Sequence, residues 1–139
     1  MNPMKHYNKT LATLLAAVFG GLGLHRLYLH GIKDHWLWLH VASWIISGGL
    51  YLTHQPRLVM FCLSPAIVSI LAGLLAALVL GLTPDEKWDA KFNPQSGRNS
   101  DSSWPLALLL VLTLMAGATG LIAALARLAD LTLTGGAFG

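Results

Sequence analysis

Residues 58–82 read LVMFCLSPAIVSILAGLLAALVLGL, and this stretch contains no charged side chain. In an α-helix, with a rise of about 1.5 Å per residue, ~20 apolar residues cross the hydrocarbon core of a bilayer. The stretch is long enough to cross with some tilt. It predicts a transmembrane helix, and therefore an integral membrane protein.

The composition of the whole chain supports the same prediction. Of its 139 residues, 55% are hydrophobic and 11% are charged, and the mean hydropathy is +0.60. Soluble domains carry about 25% charged residues, so this chain has too little polar surface to cover a water-soluble globule. Its net charge of +3 is spread out, without the basic run that would track a nucleic acid, so we expect no nucleic-acid partner.

Three further apolar segments predict three more helices, over about residues 10–29, 35–52 and 105–126. A polar loop over residues 83–104 separates the last two helices. These blocks are continuous and rich in Leu and Ala, whereas membrane strands need alternating polarity. The predicted fold class is therefore an all-α integral membrane protein, a four-helix transmembrane bundle.

The bundle divides into two predicted units, an N-terminal two-helix unit over residues 1–56 and a C-terminal helical hairpin over residues 57–139. Small residues let helices approach closely in lipid. Two stripes of small residues at a spacing of four are present: Ser69, Gly73, Ala77 and Gly81, and Ala116, Gly120 and Ala124. We predict that these stripes face each other or a second copy of the chain, the alternative being a chance spacing in Leu-, Ala- and Gly-rich helices.

The polar loop mixes charged and aromatic residues. Trp88 and Phe92 are four residues apart, which predicts a short helix lying on the membrane surface with both rings facing inward. The second half of the loop, residues 93–103, is rich in Ser, Asn and Gly and is predicted to be mobile and exposed.

The Lys and Arg residues do not fix an orientation if the chain crosses four times. Four crossings put Lys5, Lys9, Arg57 and Arg127 on one side and Arg26, Lys33, Lys87, Lys91 and Arg98 on the other. The positive-inside rule cannot separate four from five such residues. Translocating Lys5 and Lys9 together with the terminal amine is unfavourable, which favours a cytoplasmic N-terminus.

Residues 8–31, NKTLATLLAAVFGGLGLHRLYLHG, form the most distinctive segment. Glycines at its centre let the backbone turn or let another helix approach. Arg26 would lie near the headgroups, free to bind a phosphate, to cap helix carbonyls or to pair with Asp34. The candidate interaction residues are Gly20, Gly21, Gly23, His25, Arg26, Tyr28 and Leu29.

This segment resembles the transmembrane-two domain family, whose bacterial members are often called NINE proteins. The family pattern is a Lys-led apolar helix, then Gly-x-x-Gly-x-[His/Asp]-Arg-Phe-Tyr-Leu-Gly, then a second helix, and the likeness covers roughly residues 8–52. Leu27 and His30 depart from it, where Phe and Gly are usual. The resemblance implies a multi-pass protein of the bacterial cytoplasmic membrane. It implies no activity, because the family has no agreed biochemical function.

No residue pattern indicates catalysis or a bound cofactor. The chain has no P-loop, no Gly-x-Ser-x-Gly, no paired carboxylates and a single cysteine, so we expect no enzyme, no cofactor and no metal site. Four histidines recur five residues apart, from His25 to His40, and a step of five turns an α-helix by about 140°, so they share no face. His40 would lie inside the second helix, where it would hydrogen-bond to another helix or, less favourably, ligate haem.

Three hypotheses for function remain. The first is an interaction or assembly protein in the membrane, with membrane lipids, another membrane protein or a second copy of the chain as partners. The second is a small channel or transporter subunit, against which the scarcity of polar residues in the helices counts. The third is a haem-linked electron-transfer subunit that depends on His40.

Overall fold

The computed structural model describes residues 6–53 and 59–137. Over these residues the chain is all-helical, as predicted, but it has six α-helices rather than four. The helices are α1 (Lys9–Phe19), α2 (Leu24–His30), α3 (His35–Thr53), α4 (Val59–Leu82), α5 (Asp85–Phe92) and α6 (Trp104–Leu133), and a 3-10 turn over Gly20–Leu22 joins α1 to α2.

The predicted helix over residues 10–29 is in fact two helices that fold back on each other. The side chain of Asn8 caps α1 by accepting a hydrogen bond from the backbone N–H of Leu11. After the 3-10 turn, Gly23 has a φ of +78°, in the left-handed region that glycine adopts without a steric penalty. This φ turns the chain back on itself. An L-residue with a helical φ at this position would instead have continued α1.

The second arm of this hairpin returns to the start of the first. The hydroxyl of Tyr28 accepts a hydrogen bond of 3.1 Å from the backbone N–H of Asn8. The rings of Tyr7 and Tyr28 also meet edge to face, with centroids 5.3 Å apart. We call Lys9–His30 the N-terminal hairpin.

The central helix of the fold is α4, which packs against α1, the 3-10 turn, α3 and α6. Its small-residue stripe is buried, but it does not face the stripe on α6, so the predicted contact between the two stripes is wrong, and contact with a second copy stays a prediction. Gly73 lies on Gly20 instead, and a Cβ built on Gly20 would come within 2.6 Å of the Gly73 Cα. Two glycines opposite each other allow the backbones of α4 and the glycine turn to touch. Between α4 and α6, Leu side chains prevent such a backbone contact.

The helix α4 continues through Pro65. Proline lacks an N–H and leaves the carbonyl four residues earlier, that of Phe61, without its helical donor. The hydroxyl of Ser64 donates to that carbonyl at 2.7 Å. The freed acceptor is therefore satisfied inside the helix.

The polar loop is more ordered than predicted. Its first part forms α5, where Trp88 is fully buried in a cluster with Ala12 and Leu29 of the N-terminal hairpin. The prediction that this ring faces lipid is therefore wrong. The second part, predicted to be mobile, is held at Ser100 and Ser102, which donate hydrogen bonds to carboxylates of α5.

Within the described residues, two helices are long and apolar enough to cross a membrane. They are Val59–Leu82, with 24 residues, and Trp104–Leu133, with 30 residues, and their most apolar 18-residue windows have mean hydropathies of 2.5 and 2.3. They differ in exposure, since 28% of the most apolar window is buried in α4 and 11% in α6. The predicted end of the last helix at residue 126 is too early, because α6 continues to Leu133.

Candidate functional site

The glycine turn of the N-terminal hairpin meets α3 and α4 through a chain of hydrogen bonds. The carbonyl oxygen of Gly21 accepts from Trp44 Nε1 at 2.9 Å and from Ser69 Oγ at 2.7 Å. A serine hydroxyl has one proton, so Ser69 Oγ is the acceptor in its 2.6 Å contact with His40 Nδ1. His40 therefore makes the cross-helix hydrogen bond that the sequence offered as the alternative to haem ligation.

His25 lies beside this group rather than at the surface. His25 is 2% exposed, and its ring meets the ring of His40 edge to face, with centroids 5.8 Å apart. Its Nδ1 has no hydrogen-bond partner among the described residues. The fold-back of the hairpin carries His25 inward.

Arg26 pairs with Asp34, one of the three roles that the sequence left open. Its Nε donates to Asp34 Oδ2 at 2.6 Å and its Nη2 donates to Oδ1 at 3.2 Å. This is the two-pronged geometry that only a guanidinium provides. Burial raises the pKa of the Asp34 carboxyl, but the hydrogen bonds and charge of Arg26 outweigh it, so the pKa is lowered. The pair closes the connection between α2 and α3.

The other motif residues also contact this chain itself. Leu29 is 7% exposed and packs in the cluster with Trp88, and Tyr28 contacts the start of α1. A Cβ on Gly21 would come within 2.8 Å of the Ile70 side chain, and one on Gly23 within 2.9 Å of the Leu37 side chain. The motif therefore describes how the hairpin turns and docks, which does not require an outside partner.

A second cluster of polar residues connects the start of α1 to α5, and the sequence did not indicate it. Lys9 is 6% exposed, and its Nζ lies 2.7 Å from Asp85 Oδ1 and 2.9 Å from Ser102 Oγ. Asn93 accepts from the N–H of Tyr7 and donates to its carbonyl. No spacing rule connects residue 9 to residue 85, so no signal in the sequence could have found this pairing. We call the contacts of Lys9 with Asp85 and Ser102, together with those of Asn93 with Tyr7, the Lys9 anchor.

Two carboxylates near the Lys9 anchor have lowered pKa values. For Asp85, burial acts to raise the pKa, and hydrogen bonds from Lys9 and Ser102 and the charge of Lys9 lower it by more. For Asp89, the pKa is lowered by hydrogen bonds from the backbone and hydroxyl of Ser100 and from the side chain of Asn93. Both carboxylates are thus held in their ionised form.

The predicted helix-packing residues are only partly brought together. Gly81 meets both Thr13 of α1 and Leu110 of α6, and Ala77 is fully buried. On α6, Gly120 meets the Leu71 side chain. Ala124 is half-buried and Ala116 is exposed. The stripe on α4 is thus an internal packing surface, and the stripe on α6 is only partly covered.

Comparison with known proteins adds no relative: no protein-family model, no curated protein and no solved structure matches this chain. The resemblance to the transmembrane-two domain family therefore depends on the motif residues alone and stays a prediction. Within residues 6–53 and 59–137, no three His, Cys, Asp or Glu side chains are grouped to hold a metal ion.

Proposed function

We propose that this chain is a multi-pass protein of the bacterial cytoplasmic membrane, related to the transmembrane-two domain proteins, and that it acts as an assembly module there. The observation that carries the proposal is the surface of α6. Only Leu106 and Thr113 of its 30 residues are buried. The rest of α6 presents large apolar side chains to its surroundings, among them Leu112, Met115, Ile122 and Leu125.

An apolar surface of this extent has two uses, contact with lipid and contact with another membrane protein. Small exposed residues lie between the large ones, including Ala116 and Ala123. Such positions allow the close backbone approach that holds helices together in lipid. A partner helix on α6, from another protein or a second copy, is therefore the proposed contact.

The hydrogen bonds of the polar side chains in the helices favour an assembly role rather than a channel. A channel needs polar side chains directed into a path. Here the hydroxyls of Ser43 and Thr113 donate to carbonyls of their own helices, at 2.8 and 2.7 Å. Ser47 Oγ accepts from the N–H of Ala66 at 3.0 Å. These three residues are among the few polar side chains of the helices, and internal hydrogen bonds already use them.

Photocrosslinking in native membranes tests the assembly role. A photoreactive residue replaces Ile122, which is 67% exposed, and in a control protein it replaces Leu106, which is 3% exposed. We expect a discrete protein adduct at position 122 and none from position 106. A doubled mass would identify a second copy, and another mass a different protein. Lipid adducts alone, at position 122 and at Met115 and Leu125, would contradict the assembly role.

Two measurements test the alternatives. Ion or solute flux in liposomes that contain the purified protein would favour the channel or transporter subunit. A haem absorbance band in the purified protein would favour the electron-transfer subunit. We expect neither signal.

A further inference from the structure

The depth of the glycine turn follows from three helix lengths. At a rise of about 1.5 Å per residue, α1 extends about 16 Å from Lys9 to Gly20. Gly20 lies on Gly73, which is about 14 Å before the end of α4 at Leu82. The distance along α3 from its first residue to Trp44, the donor to Gly21, is again about 14 Å. The three distances agree, as they should if the helices run side by side.

Both ends of the N-terminal hairpin lie at the same end of the bundle. Lys9, at its start, pairs with Asp85, which directly follows the end of α4. His30, at its finish, has its ring 6.0 Å from the ring of Phe92 in α5. The hairpin therefore enters and leaves at one end of α4, which we call the Lys9 end, and its turn reaches about half of a ~30 Å hydrocarbon core.

We propose that the N-terminal hairpin is a re-entrant segment, and that the chain crosses the membrane three times, through the two long apolar helices α4 and α6 and through α3, whose 19 residues extend about 28 Å. This inference rests on the membrane location in the proposed function, but not on the assembly role. Three crossings put the N-terminus, the α2–α3 connection and residues 83–103 on one side, and the C-terminus on the other. Four crossings would put both termini together, opposite residues 83–103.

A non-helical turn at mid-depth is tolerated only where protein buries it and its backbone groups are satisfied. The structure meets this requirement. The carbonyl of Gly21 has two donors, and the N–H of Gly23 bonds to the carbonyl of Gly20 at 2.9 Å. The carbonyl of Gly23 accepts from the N–H groups of Arg26 and Leu27. The carbonyls of Gly20, Gly21 and Gly23 are therefore all paired, as a turn in the membrane interior requires.

The charges give the three-crossing arrangement an orientation. The Lys9 end holds six of the seven Lys and Arg residues that lie in the described ranges: Lys9, Arg26, Lys33, Lys87, Lys91 and Arg98. The seventh, Arg127, is about 34 Å along α6 from Trp104, at the opposite end. The positive-inside rule then assigns the Lys9 end to the cytoplasm. The near-equal counts of four and five Lys and Arg residues on the two sides applied only to four crossings. They no longer apply, because the first segment does not cross.

The aromatic residues agree with this end being an interface. Trp36 and Trp38 lie in the first turn of α3, and Trp104 begins α6. All three are more than half exposed. Tryptophan is enriched at the boundary between hydrocarbon and headgroups.

Cysteine labelling of the full-length protein in the membrane tests the topology. Single cysteines replace His6, Lys33, Asn99 and Ala137 in a Cys62→Ala background, and a membrane-impermeant maleimide is added to intact spheroplasts and to inside-out vesicles. We expect positions 6, 33 and 99 to react in inside-out vesicles, and position 137 in spheroplasts. Both topologies put positions 33 and 99 together, so these two are the control.

A second measurement does not depend on vesicle orientation. His6 Nδ1 lies 3.1 Å from Ser96 Oγ, so cysteines at both positions should form a disulfide on oxidation. A pair at positions 96 and 137 should not. Four crossings would separate positions 6 and 96 by the ~30 Å core.

The possible failures are distinct. Labelling of positions 6 and 137 from one side, without a disulfide between positions 6 and 96, would overturn the re-entrant hairpin and leave the membrane location intact. Release of the protein from membranes by alkaline carbonate would overturn the membrane location itself.

Discussion

The N-terminal hairpin and α6 are both apolar, yet they are held in opposite ways. In the hairpin, Ala12, Thr13 and Ala16 are at most 1% exposed, and polar contacts fix both the turn and the start. Along α6, only two residues are buried and the only ion pair in the described part of that helix is local, between Arg127 and Asp130. Hydrophobicity therefore does not decide which segment is packed. Matched small residues and paired polar groups do.

Gly73 and Gly120 show the same difference on a smaller scale. Both belong to stripes of small residues at a spacing of four. Gly73 meets the backbone of another glycine, whereas Gly120 meets only the end of the Leu71 side chain, 3.6 Å from a built Cβ. A small-residue spacing thus produces a close approach only where the facing segment is also small. A residue near the hairpin and its counterpart on α6 should therefore respond differently to the same substitution.

The largest difference is expected between two tryptophans. Trp88→Ala removes a fully buried ring from the hairpin cluster and should lower the free energy of unfolding by about 3–5 kcal/mol. Trp104→Ala removes a ring that is 75% exposed and should change it by less than about 1 kcal/mol. Reversible unfolding of the protein in mixed detergent micelles measures both. Equal losses would show that the cluster does not hold the hairpin.

Glycine substitutions come next. In Gly73→Ala, the added methyl group would overlap the backbone of Gly20, which cannot move away as a side chain can. We expect a loss of about 1–3 kcal/mol in the free energy of unfolding. Gly120→Ala should be neutral or slightly stabilising, because the methyl group has room and alanine favours a helix. The same unfolding assay applies, and an unaffected Gly73→Ala protein would contradict the backbone contact.

Two cations provide a smaller contrast. Lys9→Met leaves Asp85 without its ion pair, and because Asp85 is partly exposed we expect a loss of about 1–2 kcal/mol. Arg127→Met breaks a pair within one helix, for which at most about 0.5 kcal/mol is expected. Proteolysis of residues 93–103 gives a second readout, since only Lys9→Met should make this segment more accessible.

Acid should loosen the Lys9 anchor first. The pKa values of Asp85 and Asp89 are lower in the folded protein than the ordinary 3.8. Their contribution to stability is therefore complete above that value and is lost as the pH falls below it, through the folded pKa. We expect the tryptophan fluorescence of the protein, but not that of a Trp88→Phe protein, to change in this acidic range, while the total helix content measured by circular dichroism is kept. A change of the same size near neutral pH would contradict this assignment.

The sequence predicted the long elements well and the contacts between them poorly. Residues 35–52 and 58–82 match α3 and α4 closely, because continuous apolar blocks end at polar or helix-breaking residues. Three glycines indicated a turn near residue 20, but not that the chain would reverse there. The reversed hairpin docks on Gly73, which is far away in sequence and whose spacing equally suits other partners.

The candidate site shows the same limit. The motif from Gly20 to Leu29 was identified as a contact surface, and the structure brings these residues against α3, α4 and α5 of the same chain. The pairing of Arg26 with Asp34 could be anticipated, because the two are close in sequence. The pairing of Lys9 with Asp85 could not, because it exists only once the hairpin has folded back.

The hydrogen bonds of the glycine turn also set an order of assembly during synthesis. The carbonyl of Gly21 needs Trp44 and Ser69, which leave the ribosome 23 and 48 residues later. The N-terminal hairpin is thus made before both of its partners, yet it has no complete docking surface until most of α4 has been made. Its final packing therefore follows the synthesis of α4, whereas α6, which comes after α4, packs on a surface that is already present.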